Sequence, residues 1–372
     1  MIITRTPFRI SFCGGGSDLP SFYKKHGGCT IGTTINKYVY IAIHPSFDPK
    51  STILKYSKTE TVNNLSQIEH KYFKRVLTDF NLSGVDISNM ADVPAGTGLG
   101  SSSAFMVGLL QTIYSYRGKF VSKSRLAEEA CDYEINRLGE PIGKQDQYAS
   151  AYGGLNFYSF NKDGSVFVDP ILMSNEAKHK LDNNLLMFFT GGVRSASEIL
   201  SEQQQNVTAG EKEKNQLKMC DLARDFKAAL ENNRVDAVGE ILDEGWRLKR
   251  TLAKSITNPV IDESYELALK NGALGGKLLG AGGGGFLLFY VPEKAQSKVR
   301  ESLCNLQEMV FSFEGQGSAN IYLGDVPDNI YILIWCIILL IEYIFTVYLQ
   351  YTVFFYVILV SLILYILIHI NS

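Results

Sequence analysis

A chain of 372 residues, 46% of them hydrophobic, is long enough to bury one large or two medium cores. Its 36 Lys and Arg are interspersed with 38 Asp and Glu, for a formal net charge of -2. That balance excludes the clustered basic surface by which proteins hold a nucleic-acid backbone. The six cysteines, Cys13, Cys29, Cys131, Cys220, Cys304 and Cys336, form no CxxC pair and stand near no His at metal-ligand spacing, so they read as reduced thiols.

In chain order, Ile2 to Arg5 and Phe8 to Phe12 read as two strands, followed by Gly14-Gly15-Gly16. The N-terminus lacks the basic flank and long apolar core of a secretory signal, so the part before the apolar tail is expected to be made and kept in the cytoplasm. Cys29 to Thr34 and Tyr38 to His44 read as a hairpin turning at Asn36-Lys37. Ala104 to Tyr116, apolar on nearly every side, predicts a buried helix, and Ser124 to Leu138 a more amphipathic one. Leu155 to Phe160 is strand-like. Beyond Ser195 the pattern becomes helical over Glu211 to Glu231, Val235 to Lys254 and Asp262 to Asn271, with Gly272 placed as the last C-cap. Lys277 to Leu279 and Phe286 to Val291 are strand-like and flank a glycine run. Two α+β halves follow, residues 1–180 and 181–328.

Residues 329–372 have a different composition. Ile330 to Ile370 is almost entirely Ile, Leu, Tyr, Phe and Val, and the run after Glu342 exceeds the roughly 20 residues that span a bilayer as a helix. Two readings stand: a membrane anchor, or a frameshift-like artefact, since the segment starts abruptly after Asp328 and uses residue types encoded by AT-rich DNA. The second is preferred, and a membrane is a partner only under the first. Either way catalysis is expected within residues 1–328.

The segment Pro94 to Ala104, PAGTGLGSSSA, supplies what a phosphate chain needs: backbone N–H donors, close approach of the main chain and a helix N-terminus. Gly96, Gly98 and Gly100 keep Cβ atoms out of the way, while Ser101, Ser102 and Ser103 add hydroxyls and cap the helix that Ala104 begins. It is neither a Walker A loop nor a dinucleotide GxGxxG fingerprint. Pro94, Thr97 and Leu99 complete the expected ATP-binding set.

The string resembles the second motif of the GHMP kinases, P-x-x-x-G-L-G-S-S, and the resemblance extends over most of residues 1–325. It implies a two-domain GHMP kinase fold, an N-terminal α/β domain with the phosphate loop and a C-terminal ferredoxin-like α+β domain. Gly143 to Tyr148, GKQDQY, is similar to the family's G-x-x-D-Q segment, which makes Asp146 the general base or orienting carboxylate. Glu134 stands where the family carries its metal-binding Glu and, with Ser102, would hold Mg²⁺ through hard oxygens; Glu128, Glu129 and Asp132 are neighbouring alternatives. Arg9, in PFRISFCGGGSDLP, matches an arginine placed near the catalytic Asp and the γ-phosphate. Ser17 and Asp18 match the segment that bonds sugar hydroxyls, with Gly15 and Gly16 letting the backbone approach the ring.

Gly275 to Gly285, GGKLLGAGGGG, matches the third family motif, a glycine turn that packs against the phosphate loop and closes the site, with Gly282 and Gly283 expected at the substrate. Within the family the chain is most similar to sugar kinases acting on D-glycero-D-manno-heptose 7-phosphate. That substrate calls for a cationic clamp on its dianion, with Arg194, Lys249 followed by Arg250, and Lys144 as candidates. ATP and Mg²⁺ are the implied cofactors, no nucleic acid is expected, and a homodimer is left open. Within the fold, a kinase of free galactose or fucose competes; outside it, a non-catalytic nucleotide-binding or membrane-associated module does.

Overall fold

The computed structural model describes residues 1–191, 211–324 and 360–362. The chain separates into two units, Met1–Gly324 and Asp325–Ser372. In the second, residues 360–362 are helical; Arg194 and nearly all of the apolar tail lie outside the described residues. No helix among those described is long and apolar enough to cross a membrane.

The first sheet has nine strands among the described residues: β1 (Ile2–Cys13), β2 (Gly28–Pro45), β3 (Thr52–Lys55), β4 (Thr59–Val62), β5 (Val85–Ala91), β6 (Leu155–Phe160), β7 (Val166–Pro170), β12 (Phe313–Glu314) and β13 (Ala319–Leu323). Its main path runs β13-β1-β2-β5-β3-β4, with β6 and β12 also paired to β2. The second, antiparallel sheet contains β8 (Leu185–Phe189), β9 (Gly275–Leu278), β10 (Phe286–Tyr290) and β11 (Gln307–Glu308) in the order β11-β8-β10-β9. After completing that sheet the chain returns to the first through β12 and β13, so strand pairing crosses a division at residue 180.

The expected hairpin at Asn36-Lys37 is one continuous strand of 18 residues. Pro7 pairs with Tyr38, and the next pairing, Arg9 with Thr34, marks a bulge that absorbs the intervening residues of β2. Asn36 then bonds Ser312 through both its N–H and its side-chain oxygen, at 2.9 Å each. The two runs expected at the N-terminus likewise merge into β1. Pro7, which lacks an N–H, sits at the bulge, where the ladder can spare one.

Helices α1 (Pro20–His26), α2 (Lys71–Asp79), α3 (Ser101–Tyr116), α4 (Lys123–Cys131), α5 (Gln145–Tyr152) and α6 (Asn175–Asn183) fall in the first half. The apolar α3 packs over β1 and β2, close enough for the Thr4 and Thr112 hydroxyls to bond at 2.6 Å. A Cβ on Gly108, midway along it, would lie 2.8 Å from the Thr6 hydroxyl. The helix expected over Ser124 to Leu138 changes character: α4 ends at Cys131 and Asp132–Arg137 forms a π-turn.

In the second half come α7 (Glu211–Glu231), α8 (Ala237–Arg250), α9 (Pro259–Lys270) and α10 (Glu293–Ser302). Asn258 caps α9 by accepting the Ile261 N–H, and Gly272 follows the C-cap Asn271 at φ 107°. The second core gathers Phe188, Leu287 and Phe289 from the sheet with Met219, Trp246, Tyr265 and Val299 from the helices.

Phe226 of α7 stacks on Phe12 of β1 with ring centroids 5.0 Å apart, and both rings are essentially buried. This contact joins a helix of the second half to the first sheet. Phe226→Ala is expected to cost about 3–5 kcal/mol of stability, the range for truncating a buried Phe, read as a lowered midpoint in urea denaturation.

Candidate active site

A cleft of about 310 Å³ opens where the two sheets meet. Its wall includes the loop between β5 and α3, in which Gly96, Gly98 and Gly100 take φ of 78°, 89° and 74° and line the cavity. Thr97 and Leu99 face inward, each 1% exposed. The Thr97 hydroxyl donates to the Pro94 carbonyl, and Pro94 is exposed at the outer end of the loop. The side chains of Thr97 and Leu99 thus shape the loop, and the alternate glycines line the cavity. The N-cap of α3 is Gly100 in the left-handed conformation, not a serine. Ser101, Ser102 and Ser103 instead form the first turn and line the cleft, where N–H groups have no partner within the helix.

Gly98 seats on the second glycine loop. A Cβ there would lie 2.5 Å from the Leu279 carbonyl oxygen, and one on Gly280 would lie 2.4 Å from the Gly98 Cα. Gly282 and Gly284 line the cavity. Gly283 does not, because it is buried with its N–H donated to the Ile256 carbonyl at 2.8 Å, which corrects its expected place at the substrate.

Arg9, 5% exposed on β1, donates from Nε and one Nη to the two oxygens of Asp146, both at 2.8 Å. Its other Nη donates to the Gly98 carbonyl at 2.6 Å. Asp146 belongs to the first turn of α5, so the guanidinium ties that helix to the glycine loop in the parallel two-bond geometry that makes Arg–carboxylate pairs strong. Asp18 accepts the N–H groups of Gly16 and Gln145 at 3.0 and 3.1 Å. Burial, then the Asp146 charge, raises its carboxyl above the usual range. Gly15, Gly16 and Asp18 line the cavity. Ser17 is not at the surface: it is 0% exposed, and its hydroxyl donates to the Cys29 carbonyl and accepts the Cys29 N–H. Its expected contact with sugar hydroxyls is corrected by that pairing.

The π-turn after α4 carries Glu134 to Ser102 and Gln147, consistent with the frequent use of such turns at functional sites. Glu134 is fully buried, accepting from Ser102 Oγ at 2.7 Å and Gln147 Nε2 at 2.6 Å. Burial pushes its carboxyl up to about 7 despite the Ser103, Ser102 and Gln147 donors. The neighbouring acids are spent elsewhere: Glu128 on Ser124, Glu129 on Tyr114, and Asp132 on Asn136 and Arg137. Ser102 and Glu134 are two adjacent hard oxygen donors, and the carboxylate has no ion pair among the described residues. They fit a Mg²⁺ shared with nucleotide phosphates.

Of the expected clamp, Lys144 turns away to the Gly164 carbonyl and the Tyr23 ring and does not line the cleft, a correction. Arg194 lies outside the described residues, and Arg250 approaches Asp262 at 3.6 Å. Lys249 does reach the cavity, 6% exposed, donating to the Gly280 carbonyl. Lys277, Tyr72 and Gln145 are among the lining residues that sequence reasoning missed. Lys277 lies within the third motif, where its position was the available signal. Tyr72, bonded to Ser102 Oγ at 2.7 Å, comes from a helix whose sequence carries no such signal. Gln145, which accepts the Ser11 hydroxyl at 2.8 Å, is flanked by more conspicuous residues.

Comparison with known proteins agrees with this geometry. The GHMP kinases N terminal domain matches residues 58–154, and the GHMP kinases C terminal domain matches residues 226–308. A D-glycero-alpha-D-manno-heptose 7-phosphate kinase of Campylobacter jejuni is 29% identical over 333 residues, covering 85% of this chain and 97% of that protein. A bifunctional fucokinase/GDP-fucose pyrophosphorylase of Arabidopsis thaliana is 28% identical over 321 residues, 78% of this chain but 30% of that protein. The crystal structure of a D-glycero-D-manno-heptose 1-phosphate kinase from Bacteroides thetaiotaomicron superposes with a TM-score of 0.71 at 26% identity, covering 87% of this chain and all of that one. With both family domains matched in order around one cleft, the chain belongs to the GHMP kinases.

Proposed function

We propose that this GHMP kinase transfers the γ-phosphoryl group of ATP to the anomeric hydroxyl of D-glycero-D-manno-heptose 7-phosphate, giving the 1,7-bisphosphate for nucleotide-activated heptose synthesis. The observation that carries the reading is the Arg9–Asp146 pair beside the glycine loop: a carboxylate for an acceptor hydroxyl, held by a cation that also reaches the loop. The relatives named for heptose phosphates support the acceptor, and buried Lys249 supports its charge.

In this reading the first turn of α3 and Gly96 to Gly100 hold the nucleotide phosphates through backbone N–H groups. Ser102 and Glu134 would hold Mg²⁺, which would supply neutralising charge to the phosphate oxygens. Asp146 accepts a hydrogen bond from the anomeric hydroxyl, orients its oxygen towards phosphorus and receives its proton as the new O–P bond forms. The bond from the γ-phosphorus to the bridging oxygen breaks, and ADP leaves. Arg9 stabilises charge on the group in transit. Gly15, Gly16 and Asp18 position the sugar. A free-sugar kinase is the second reading, favoured by Lys144 facing away from the cleft.

Two measurements test this. ATP consumption is expected with heptose 7-phosphate at a kcat/KM well above that with unphosphorylated heptose, galactose or fucose; turnover of a free hexose and none of any heptose phosphate overturns the reading. Asp146→Asn, which keeps the shape and one acceptor oxygen, is expected to lower kcat about 10²–10⁴-fold, the range for a positioned acid–base group, with the KM for ATP changed only a few-fold. A kcat near that of the unaltered enzyme removes Asp146 from the chemistry.

A further inference from the structure

Lys249 on α8 and Lys277 on β9 line the same cleft, and each is 6% exposed. Lys249 Nζ donates to the Gly280 carbonyl. Lys277 Nζ donates to the carbonyls of Ser11 and Phe12 at 2.7 and 2.8 Å. Neither makes an ion pair among the described residues. The nearby charges are already engaged: Arg9 and Asp146 neutralise each other, and Asp18 accepts two backbone N–H groups.

An unpaired ammonium in a protein wall is costly, and two together cost more because they repel. Burial, followed by Lys277 and Arg9, holds Lys249 well below its ordinary range. Burial brings Lys277 down to about 8. Carbonyl dipoles only partly offset that cost. Each ammonium has three donors; with one engaged on Lys249 and two on Lys277, three N–H bonds remain for a ligand. A phosphate monoester dianion offers three acceptor oxygens and two charges.

Neither lysine bonds the groups assigned to the nucleotide and metal, Ser102, Glu134 and the first turn of α3; their partners are the carbonyls of Gly280, Ser11 and Phe12. The titratable groups near Lys249 are Lys277, Arg9, Asp18 and Asp146, and those near Lys277 are Arg9 and Cys13, whose thiol burial keeps neutral. We propose that Lys249 and Lys277 together form the subsite for the phosphate that the acceptor sugar already carries, so that the pair selects phosphorylated over unphosphorylated sugars. The inference rests on the sugar-phosphate reading above and adds Lys277 and the pairing to it.

The test reads selectivity. In Lys249→Met and Lys277→Met, the ratio of kcat/KM for heptose 7-phosphate to that for unphosphorylated heptose is expected to fall about 10–100-fold each, the scale of a lost charged hydrogen bond. An equal loss with both sugars, or a loss expressed in the KM for ATP, overturns the subsite. A mutation-free arm covers variants that fail to fold. Calorimetric titration of the unaltered protein with heptose 7-phosphate at pH 8.5, in buffers of different ionisation heat, is expected to show proton uptake, because the bound dianion favours charged lysines; unphosphorylated heptose shows none. Equal uptake with both, or none with either, overturns the proposal. If the unaltered enzyme itself prefers the unphosphorylated sugar, the proposed reaction fails with it. If it prefers the phosphate while both Met variants keep that preference, only the subsite fails.

Discussion

Everything in the cleft depends on one backbone contact, Gly98 seated against Leu279 and Gly280. The two glycine loops belong to different halves of the molecule, one leading into α3 and the other joining β9 to β10. Their main chains approach so closely that a Cβ on either glycine would overlap the other loop. Close approach brings the first turn of α3 and the lysines of α8 and β9 into one cleft. A side chain here would hold the loops apart and open the cleft to water, weakening every electrostatic interaction within it.

Arg9 converts that contact into a reaction geometry. One guanidinium holds the Gly98 carbonyl and both oxygens of Asp146, so the loop and the carboxylate cannot drift independently. The rest of the polar wall is arranged around this pair with little duplication. Asp18 fixes the loop after β1 against the start of α5, Glu134 and Ser102 form an oxygen pair, and two lysines line the same cleft. In the proposed reading the Glu134–Ser102 oxygen pair serves a cation bound to phosphates, and the lysines serve a second anion.

The same fold explains why the halves act together. β12 and β13 return to the first sheet after the second is complete, and Phe226 stacks on Phe12 across the junction. Lys277 adds a polar tie by bonding two carbonyls of β1 from β9. The site is thus built on strand ends and helix starts that share a core, which favours the preorganisation phosphoryl transfer requires.

The glycine-rich loops, the buried helix behind the first and the carboxylate at Asp146 were legible in the sequence because their demands are local: positive φ, apolar periodicity and a short motif around a charged residue. Family resemblance singled out Glu134, but Glu128 and Glu129 on α4 and Asp132 at the start of the π-turn carry the same kind of group, and only the fold shows that they bond elsewhere. Directions were decided by the tertiary structure. Ser17, Lys144 and Gly283 stand within the right motifs yet spend their polar atoms on backbone elsewhere, while Lys277, unremarked within the third motif, and Tyr72, from α2, reach the cleft. Asn36-Lys37 has turn composition but becomes a bulge because Ser312, far along the chain, satisfies its polar groups. Sequence by itself determined which backbone conformations and chemical groups were available; folding decided which groups met, since hydrogen-bond partners hundreds of residues apart are chosen by the sheets that bring them together.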